Sequence, residues 1–126
     1  MGCQVSTLGD VSSFGIFVLE ILTGKKPTDK MFTNGTNLHW FVKVSLPDKL
    51  LERVDSTLLP RESSHLHPND VKRCLLKLSY IALACTAESP NERMSIKDVT
   101  WELDKIRISL LRGRSIEIFD KFYRCH

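Results

Sequence analysis

Four cysteines are the residues of this chain best suited to metal or redox chemistry: Cys3, Cys74, Cys85 and Cys125. None of them forms the C-x-x-C pair that is typical of structural zinc sites. Cys74 and Cys85 are eleven residues apart, about three helical turns, which places both on one face of a helix. We therefore interpret these two as small buried apolar residues. Reduced thiols in an intracellular protein fit this cysteine usage best.

Two histidines in a polar segment offer a second possible metal site. His65 and His67 are two residues apart, so both would face one metal ion only if the segment were extended. Solvated histidines in loops are much commoner than metal ligands. We predict no metal site here.

The first six residues match a lipidation pattern. Met1 to Ser6 fits M-G-x-x-x-[ST], with Gly2 as the candidate for myristate and Cys3 beside it for palmitate. Two lipids would anchor a protein stably, whereas one would not. The alternative is that Met1 is an internal methionine of a longer chain and that the match is accidental, since such short motifs arise by chance. We favour this alternative and keep Gly2 and Cys3 as candidate residues.

The composition excludes several classes of protein. The chain has 126 residues, of which 42% are hydrophobic and 26% charged, with a net charge of +3. These values indicate one ordinary globular domain rather than a disordered chain. The basic residues are scattered, so we expect no nucleic-acid surface, which would need clustered Lys and Arg. No apolar stretch of the kind found in secretory signals occurs at the N-terminus.

The element that must position any functional group is a helix predicted over residues 9–24. From Ile16 to Leu22 every residue except Glu20 is apolar. A helix that is apolar nearly all round is normally covered on every side, and this one is shorter than the roughly 20 residues of a membrane span. Gly24 and Pro27 mark its end. We expect a core helix of a domain larger than the rest of this chain can supply.

Helical patterns continue along the rest of the chain. Thr36 or Asn37 is expected to cap a second helix that ends before Pro47, and a short helix follows within residues 48–59. Residues 60–68 form a predicted surface loop. Asn69 or Asp70 is expected to cap a long helix that carries both Cys74 and Cys85. The apolar residues at helical spacing in that helix are Val71, Cys74, Leu75, Leu78, Ile81, Ala82 and Cys85.

Ser95 and Asp98 form a capping-box pattern before a final helix, which is expected to bury one side. That side carries Ile96, Val99, Leu103, Ile106 and Leu110. We predict that Trp40, Phe41 and Trp101 pack in the core or against a neighbouring subdomain. No segment alternates like a β-strand, so the predicted fold is all-α with four to five helices. Gly113 breaks the pattern, and the segment 111–126 either docks as an extra helix or hangs free.

The order of these elements resembles a known family. The segments GDVSSFG and LEILTGKKPTD are similar to the central C-lobe helix of eukaryotic protein kinases and the loop that follows it. TNLHWFVKVSLPDKLLERVDSTLL and LLKLSYIALACTAESPNERMSIKDVTWELDKI resemble the end of plant leucine-rich-repeat receptor-like Ser/Thr kinases. The resemblance implies a partial protein-kinase-like C-lobe over residues 1–110, with helices F to I of that fold, and a tail of unknown structure over 111–126.

The resemblance also implies roles for individual residues. Asp10 corresponds to the residue that anchors the catalytic loop through its backbone, and Arg93 to the residue that pairs with the glutamate of the A-P-E motif. Glu20 stands where some kinases contact basic residues of their substrates. Ser12 departs from the family, which has Tyr or Trp there, so an aromatic contact at the head of this helix is missing.

The motifs that carry phosphoryl transfer are absent from this sequence. That chemistry needs a Gly-rich loop, a strand lysine, an H-R-D aspartate and a D-F-G aspartate that holds magnesium. None of these motifs occurs here, and A-P-E is missing too. We expect no catalytic, cofactor-binding or metal-binding residues, with ATP and magnesium belonging to the parent family. Asp10 and Arg93 then lack their partners, and a buried unpaired charge costs about 3–5 kcal/mol. We expect both to stay in contact with water.

Two function classes follow from these observations. In the first, the chain is a C-lobe fragment of a receptor-like Ser/Thr kinase and is inactive alone. In the second, it is a non-catalytic interaction module that binds kinases or their substrates and competes with the full-length protein. Expected partners are therefore kinases or their substrates, or further copies of the chain through exposed apolar surface. We expect it on the cytoplasmic side, reaching the plasma membrane only through a parent receptor or acylation.

Overall fold

The computed structural model describes residues 3–59 and 67–113, and these are entirely helices, turns and connecting segments. Within them no β-strand occurs, which confirms the predicted all-α fold with four to five helices. The five α-helices are α1 (Cys3–Thr23), α2 (Leu38–Lys43), α3 (Leu50–Arg53), α4 (Pro68–Cys85) and α5 (Ile96–Gly113), with single 3₁₀ turns at Ser56–Leu58 and Pro90–Glu92.

The first helix is longer than the sequence predicts. It begins at Cys3 rather than near Gly9, because residues 3–8 contain no proline and extending a helix is easier than nucleating one. Its C-terminus is as predicted. Gly24 takes a left-handed conformation with φ +71°, and its N–H donates to the carbonyl of Glu20 at 2.8 Å. This conformation favours glycine because it has no Cβ.

Helices α1 and α4 cross at a glycine. A Cβ on Gly15 would stand 2.6 Å from Cγ2 of Thr86, 2.8 Å from Cβ of Cys85 and 3.0 Å from the carbonyl oxygen of Ala82. The two helices therefore approach more closely than any larger residue would allow. Their shared core joins α1, α2, α3 and α4 through Leu19, Leu22, Leu38, Phe41, Val42, Leu50, Val54, Val71, Leu75 and Ala82.

A second apolar cluster attaches α5. Its buried members are Val11 of α1, Cys74, Ile81 and Cys85 of α4, and Val99 and Ile106 of α5. The prediction that Cys74 and Cys85 are buried is confirmed. Burial raises the pKa of both thiols, which therefore stay protonated and unreactive near neutral pH.

The caps of the later helices follow the sequence with small shifts. Asn37 caps α2, since its Oδ1 accepts from the N–H of Trp40 at 2.8 Å. Ser95 caps α5 as predicted, with its Oγ accepting from the N–H of Asp98 at 3.1 Å. The prediction for α4 was wrong by two or three residues. His67 is the cap, and Pro68 follows in the first turn, where its missing N–H costs nothing.

Of the three aromatic residues predicted to pack in the core or against a neighbouring subdomain, two lie outside the core of this chain. Phe41 is buried, but the side chain of Trp40 is 42% exposed and that of Trp101 is 66% exposed. Ile96, expected on the buried side of α5, is also exposed. Each lies at helical spacing on a face that no other described element covers, and spacing alone does not show which face is covered.

Some predictions fall outside the described residues. These are the surface loop at residues 60–66, with His65, and the tail beyond Gly113. Helix α5 itself continues three residues past position 110. Of the helices in the described part of the chain, none has the length and hydropathy needed to cross a membrane.

Candidate interaction surface

Asp10 lies on α1 with its side chain exposed, directly before Val11, which is completely buried. None of the ion pairs among the described residues involves Asp10. Helix α1 thus holds this carboxylate at a fixed place on the surface, next to the second apolar cluster. It is free to accept hydrogen bonds from a backbone brought against this end of the helix.

Arg93 follows the 3₁₀ turn after α4 and is half-buried. Its Nε donates to the carbonyl of Ala87 at 2.8 Å, and the next residue, Met94, donates its N–H to the carbonyl of Ala84 at 3.0 Å. These two bonds fold the loop back onto the end of α4. Arg93 forms no ion pair within the described residues, so its guanidinium is held in place and keeps further N–H donors for a carboxylate.

The other predicted residues lie apart from these two. Glu20 is half-buried near the far end of α1, two turns or more from Asp10. Gly2 lies outside the described residues, and Cys3 begins α1 but its side chain is not among those described. Glu20 therefore lies apart from Asp10 along the same helix.

One face of α1 is uncovered. Asp10, Ser13, Phe17 and Ile21 follow one another at spacings of three and four residues, and all four are exposed. Phe17 is 57% exposed and Ile21 48% exposed. The uncovered α1 face thus begins with a carboxylate and continues with large apolar side chains. Such a face is suited to binding another apolar surface.

A cleft with a largely polar lining lies between α2 and the end of α4. It has a volume of about 810 Å³, and its lining includes Asn37, His39, Lys43, Tyr80, Glu88 and Glu92. Nδ1 of His39 lies 2.7 Å from Oγ1 of Thr86, which itself lies 2.9 Å from the carbonyl of Ala82. Because the single Thr86 proton goes to Ala82, His39 donates from Nδ1, which leaves Nε2 as an acceptor in the neutral ring.

Burial lowers the pKa of His39, and the nearby positive charge of Lys43 lowers it further. The ring is therefore neutral near pH 7 and joins α2 to α4 as a hydrogen-bond donor. Sequence reasoning missed this contact, because His39 and Thr86 are 47 residues apart.

An arginine supports the aromatic part of α2. The guanidinium carbon of Arg53 lies 4.2 Å from the ring centroid of Phe41 and 6.0 Å from that of Trp40. One Nη of Arg53 also donates to the carbonyl of Phe41 at 3.1 Å. A cation over an aromatic ring is stabilising at these distances. Arg53 therefore packs against one side of the exposed Trp40 ring.

The face of α5 opposite the core forms a shallow groove. Its volume is about 890 Å³, and its lining residues include Lys97, Thr100, Trp101, Asp104 and Arg107. Asp104 and Arg107 form an ion pair at 2.8 Å across one turn of the helix. In the sequence, the i, i+4, i+7 spacing of Lys97, Trp101 and Asp104 indicates that these three residues share this face of α5.

Among the residues that the structure describes, no three His, Cys, Asp or Glu side chains converge as metal ligands would. Every buried side-chain nitrogen and oxygen in this part of the chain also has a hydrogen-bond partner.

No family model matches the chain, but individual proteins do. Over 113 residues it is 42% identical to a putative receptor-like protein kinase of Arabidopsis thaliana, which covers 89% of this chain and 11% of that protein. A putative leucine-rich-repeat receptor-like serine/threonine-protein kinase of the same plant is 34% identical over 110 residues, covering 85% of the chain and 11% of the relative. A receptor kinase-like protein of Oryza sativa subsp. japonica is 32% identical over 116 residues, with 87% and 11% covered. The chain spans about a tenth of the length of these relatives.

Proposed function

Because the chain is homologous to a short segment of plant leucine-rich-repeat receptor-like serine/threonine kinases, we propose that it serves as the helical base of a kinase C-lobe. In this role it supports a catalytic apparatus that other residues provide, and the complete kinase transfers the γ-phosphate of ATP to Ser or Thr of proteins. The chain alone has no phosphotransferase activity. Where the parent is a receptor, this part lies on the cytoplasmic side of the plasma membrane.

The observation that carries this proposal is the uncovered α1 face. The C-terminal part of α1, from Ile16 to Leu22, is apolar nearly all round, yet the described part of this chain leaves Phe17 and Ile21 about half exposed. Fully burying a side chain of this size stabilises a protein by roughly 1.5–3 kcal/mol. Such a face is expected of a helix that lies inside a larger domain, with Asp10 at the end where the catalytic loop would be anchored.

The residues of this chain do not fit ATP and magnesium. The sequence contains no G-x-G-x-x-G, H-R-D or D-F-G motif, and the described residues do not bring together the carboxylates that a phosphate-bound magnesium would need. In the proposal, Asp10 positions the catalytic loop, Arg93 binds the glutamate of an A-P-E motif, and Glu20 contacts a basic substrate residue.

Reconstitution of a split kinase domain tests the proposal. The chain is mixed with the part of the Arabidopsis relative's kinase domain that precedes the matched segment, and transfer of labelled γ-phosphate to a protein substrate is measured. We expect no transfer from either piece alone and transfer from the mixture. Asp10→Asn should reduce that transfer, whereas Asp48→Asn, an exposed aspartate between α2 and α3, should not.

Phosphate transfer by the chain alone would refute the proposal. A mixture that fails to associate, with both pieces folded by circular dichroism, would also contradict it.

The uncovered α1 face also supports a second candidate, an interaction module that competes with intact kinases. In this role the chain binds the upper part of a kinase domain and displaces its own C-lobe base. Addition of the chain to an intact relative should then lower that kinase's activity. Lipids on Gly2 and Cys3 would bring such a module to the membrane, and mass spectrometry of the N-terminal peptide would detect them.

A further inference from the structure

A third concave surface, the α4–α5 pocket, lies between the last two described helices. Its volume is about 310 Å³. Ile81 of α4 and Ile106 of α5 line it and are buried, so they form its floor, and Met94 from the connecting loop completes the apolar part of the lining. Ligand pockets commonly measure about 300–1,000 Å³. The α4–α5 pocket therefore has room for one side chain of a partner.

The rim of the α4–α5 pocket is polar and carries more positive than negative charge. Lys77 and Tyr80 lie on it from α4, and Glu102 and Lys105 from α5. Nζ of Lys105 lies 3.0 Å from Oε1 of Glu102. None of the ion pairs within the described ranges involves Lys77. The rim thus presents one cation on each helix and a single carboxylate between them and solvent.

The ion pair on α5 leaves Lys105 available to a ligand. The side chains of Lys105 and Glu102 are 55% and 40% exposed, and an exposed ion pair contributes little to stability because water screens it. Lys105 can therefore turn to a ligand carboxylate at low cost. Since Lys77 lies on the other helix, acidic residues on both sides of an apolar residue could each meet one ammonium group.

Two side chains of the lining favour an aromatic residue on the pocket floor. The ring of Tyr80 is about half exposed, which leaves one side of it for another ring to pack against. Met94 has a flexible thioether that makes favourable contacts with aromatic rings. Its backbone is held in place, because its N–H donates to the carbonyl of Ala84 at 3.0 Å.

We propose that the α4–α5 pocket is a docking site for an acidic peptide segment of a partner protein. An aromatic side chain of the peptide lies on the floor formed by Ile81 and Ile106, and carboxylates on either side of it bind Lys77 and Lys105. The pocket includes no residue of the uncovered α1 face, so the docking site does not depend on the proposed kinase role.

Fluorescence anisotropy of a fluorescein-labelled peptide tests the proposal. The peptide Glu-Glu-Phe-Glu-Glu is titrated with the full chain, and we expect saturable binding. Glu-Glu-Ser-Glu-Glu keeps the charge but lacks the aromatic anchor, and should bind much more weakly. Lys-Lys-Phe-Lys-Lys reverses the charge and should not bind. Equal binding of the two acidic peptides would overturn the proposal, since attraction to the positive net charge of the chain would then explain it.

Reversing the charge of the α4 cation should weaken binding of the Glu-Glu-Phe-Glu-Glu peptide. Lys77→Glu replaces an attraction at close range with a repulsion, and we expect the affinity to fall about tenfold. Lys72→Glu is the matched control, because it makes the same charge change at an exposed position of α4 that does not line the pocket. It should bind nearly as the parent does. Equal losses for both variants would contradict docking in the pocket.

Removing the rim carboxylate should have the opposite effect. Glu102→Gln releases Lys105 for the peptide, and we expect the affinity to rise about threefold. Asp104→Asn also removes an α5 carboxylate that is paired three positions along the helix, but Asp104 lines the groove beside Trp101 instead. It should leave the affinity nearly unchanged. An equal gain for both variants, or none for Glu102→Gln, would contradict the proposal.

Sedimentation of the chain without peptide tests for another occupant. Lys77→Glu should leave its state of association as it is in the parent. If Lys77→Glu instead converted a dimer to a monomer, a second copy of the chain would be the occupant and the proposal would be wrong.

Discussion

At the scale of single residues, two close contacts join helices of this fold. One is the approach of α1 to α4 at Gly15, and the other is the hydrogen bond between His39 and Thr86. A Cβ added to Gly15 would stand within 3.0 Å of the carbonyl oxygen of Ala82 and of the side chains of Cys85 and Thr86. His39 donates to a hydroxyl whose only proton is already used. Substitutions at Gly15 and His39 should disturb the fold, because the atoms that these residues contact cannot shift without moving a helix.

Gly15→Ala should destabilise the chain although alanine is the better helix former. The gain in helix propensity is about 1 kcal/mol, whereas the added methyl would overlap Cβ of Cys85 and the carbonyl of Ala82. Forcing extra volume into a closed contact costs about 1–3 kcal/mol. Urea denaturation should show a net loss for Gly15→Ala and none for Ser13→Ala, an exposed position on the same helix. An unchanged midpoint for Gly15→Ala would show that α1 and α4 do not cross so closely.

The pH dependence of stability should carry a contribution from His39. Its folded pKa is lowered by burial and by Lys43, so the unfolded chain binds the proton more tightly. This contribution is therefore complete above the ordinary pKa of 6.5 and is lost progressively as the pH falls below it. An NMR titration should place the His39 pKa below that value. Lys43→Ala should raise it, whereas Lys49→Ala should leave it unchanged. A His39 pKa of 6.5 or above would contradict this prediction.

At the scale of elements, the short helices α2 and α3 are stabilised by their contacts with each other more than by their own helix propensity. Helix α2 has six residues and α3 has four, which is too few for a stable isolated helix. Arg53 joins the two helices through its contacts with Phe41 and Trp40. Phe32 packs edge-on against Phe41, with 5.8 Å between their ring centroids.

Arg53→Lys should therefore not behave as a conservative substitution. Lysine keeps the charge but loses the flat stacking surface and the fork that reaches the Phe41 carbonyl. We expect a loss of about 1 kcal/mol in the free energy of unfolding. Thermal and urea unfolding would measure this loss, with Lys49→Arg as a control at an exposed neighbouring position. Equal stability of Arg53→Lys and the parent would show that the stacking contributes nothing.

At the scale of the whole molecule, the chain has more apolar surface than it can cover. The uncovered α1 face and the exposed side of α5 that carries Trp101 lie on separate helices. Folded proteins are stable by only about 5–15 kcal/mol. We therefore expect the isolated chain to associate with itself or to bind apolar dyes.

The double variant Phe17→Lys, Ile21→Lys should show whether these two side chains serve association rather than the folding of the chain. Both side chains are about half exposed, so the double variant should bind less of an apolar dye and stay monomeric, with little change in helix content. It should also fail in the split-kinase reconstitution. The measurements are dye fluorescence, sedimentation and circular dichroism, with Lys26→Glu as a charge-changing control. Unfolding of the double variant would show instead that these residues belong to the core of this chain.

The sequence by itself determined the all-α fold, several of the helix ends and the family. The predictions from Gly24, Asn37 and Ser95 were confirmed because a cap depends on residues only a few positions away. The resemblance to receptor-like kinases was confirmed by relatives that match most of the chain. The roles of Asp10, Arg93 and Glu20 remain predictions.

Only the tertiary structure decided which faces are covered. Periodicity showed that Ile96, Trp40 and Trp101 lie at helical positions, but their exposure depends on whether another element packs against that side. The His39–Thr86 bond and the closeness of Gly15 to Cys85 likewise join residues far apart in the chain. Local pattern fixes a helix because its hydrogen bonds span four residues, whereas burial depends on distant segments that no local pattern contains.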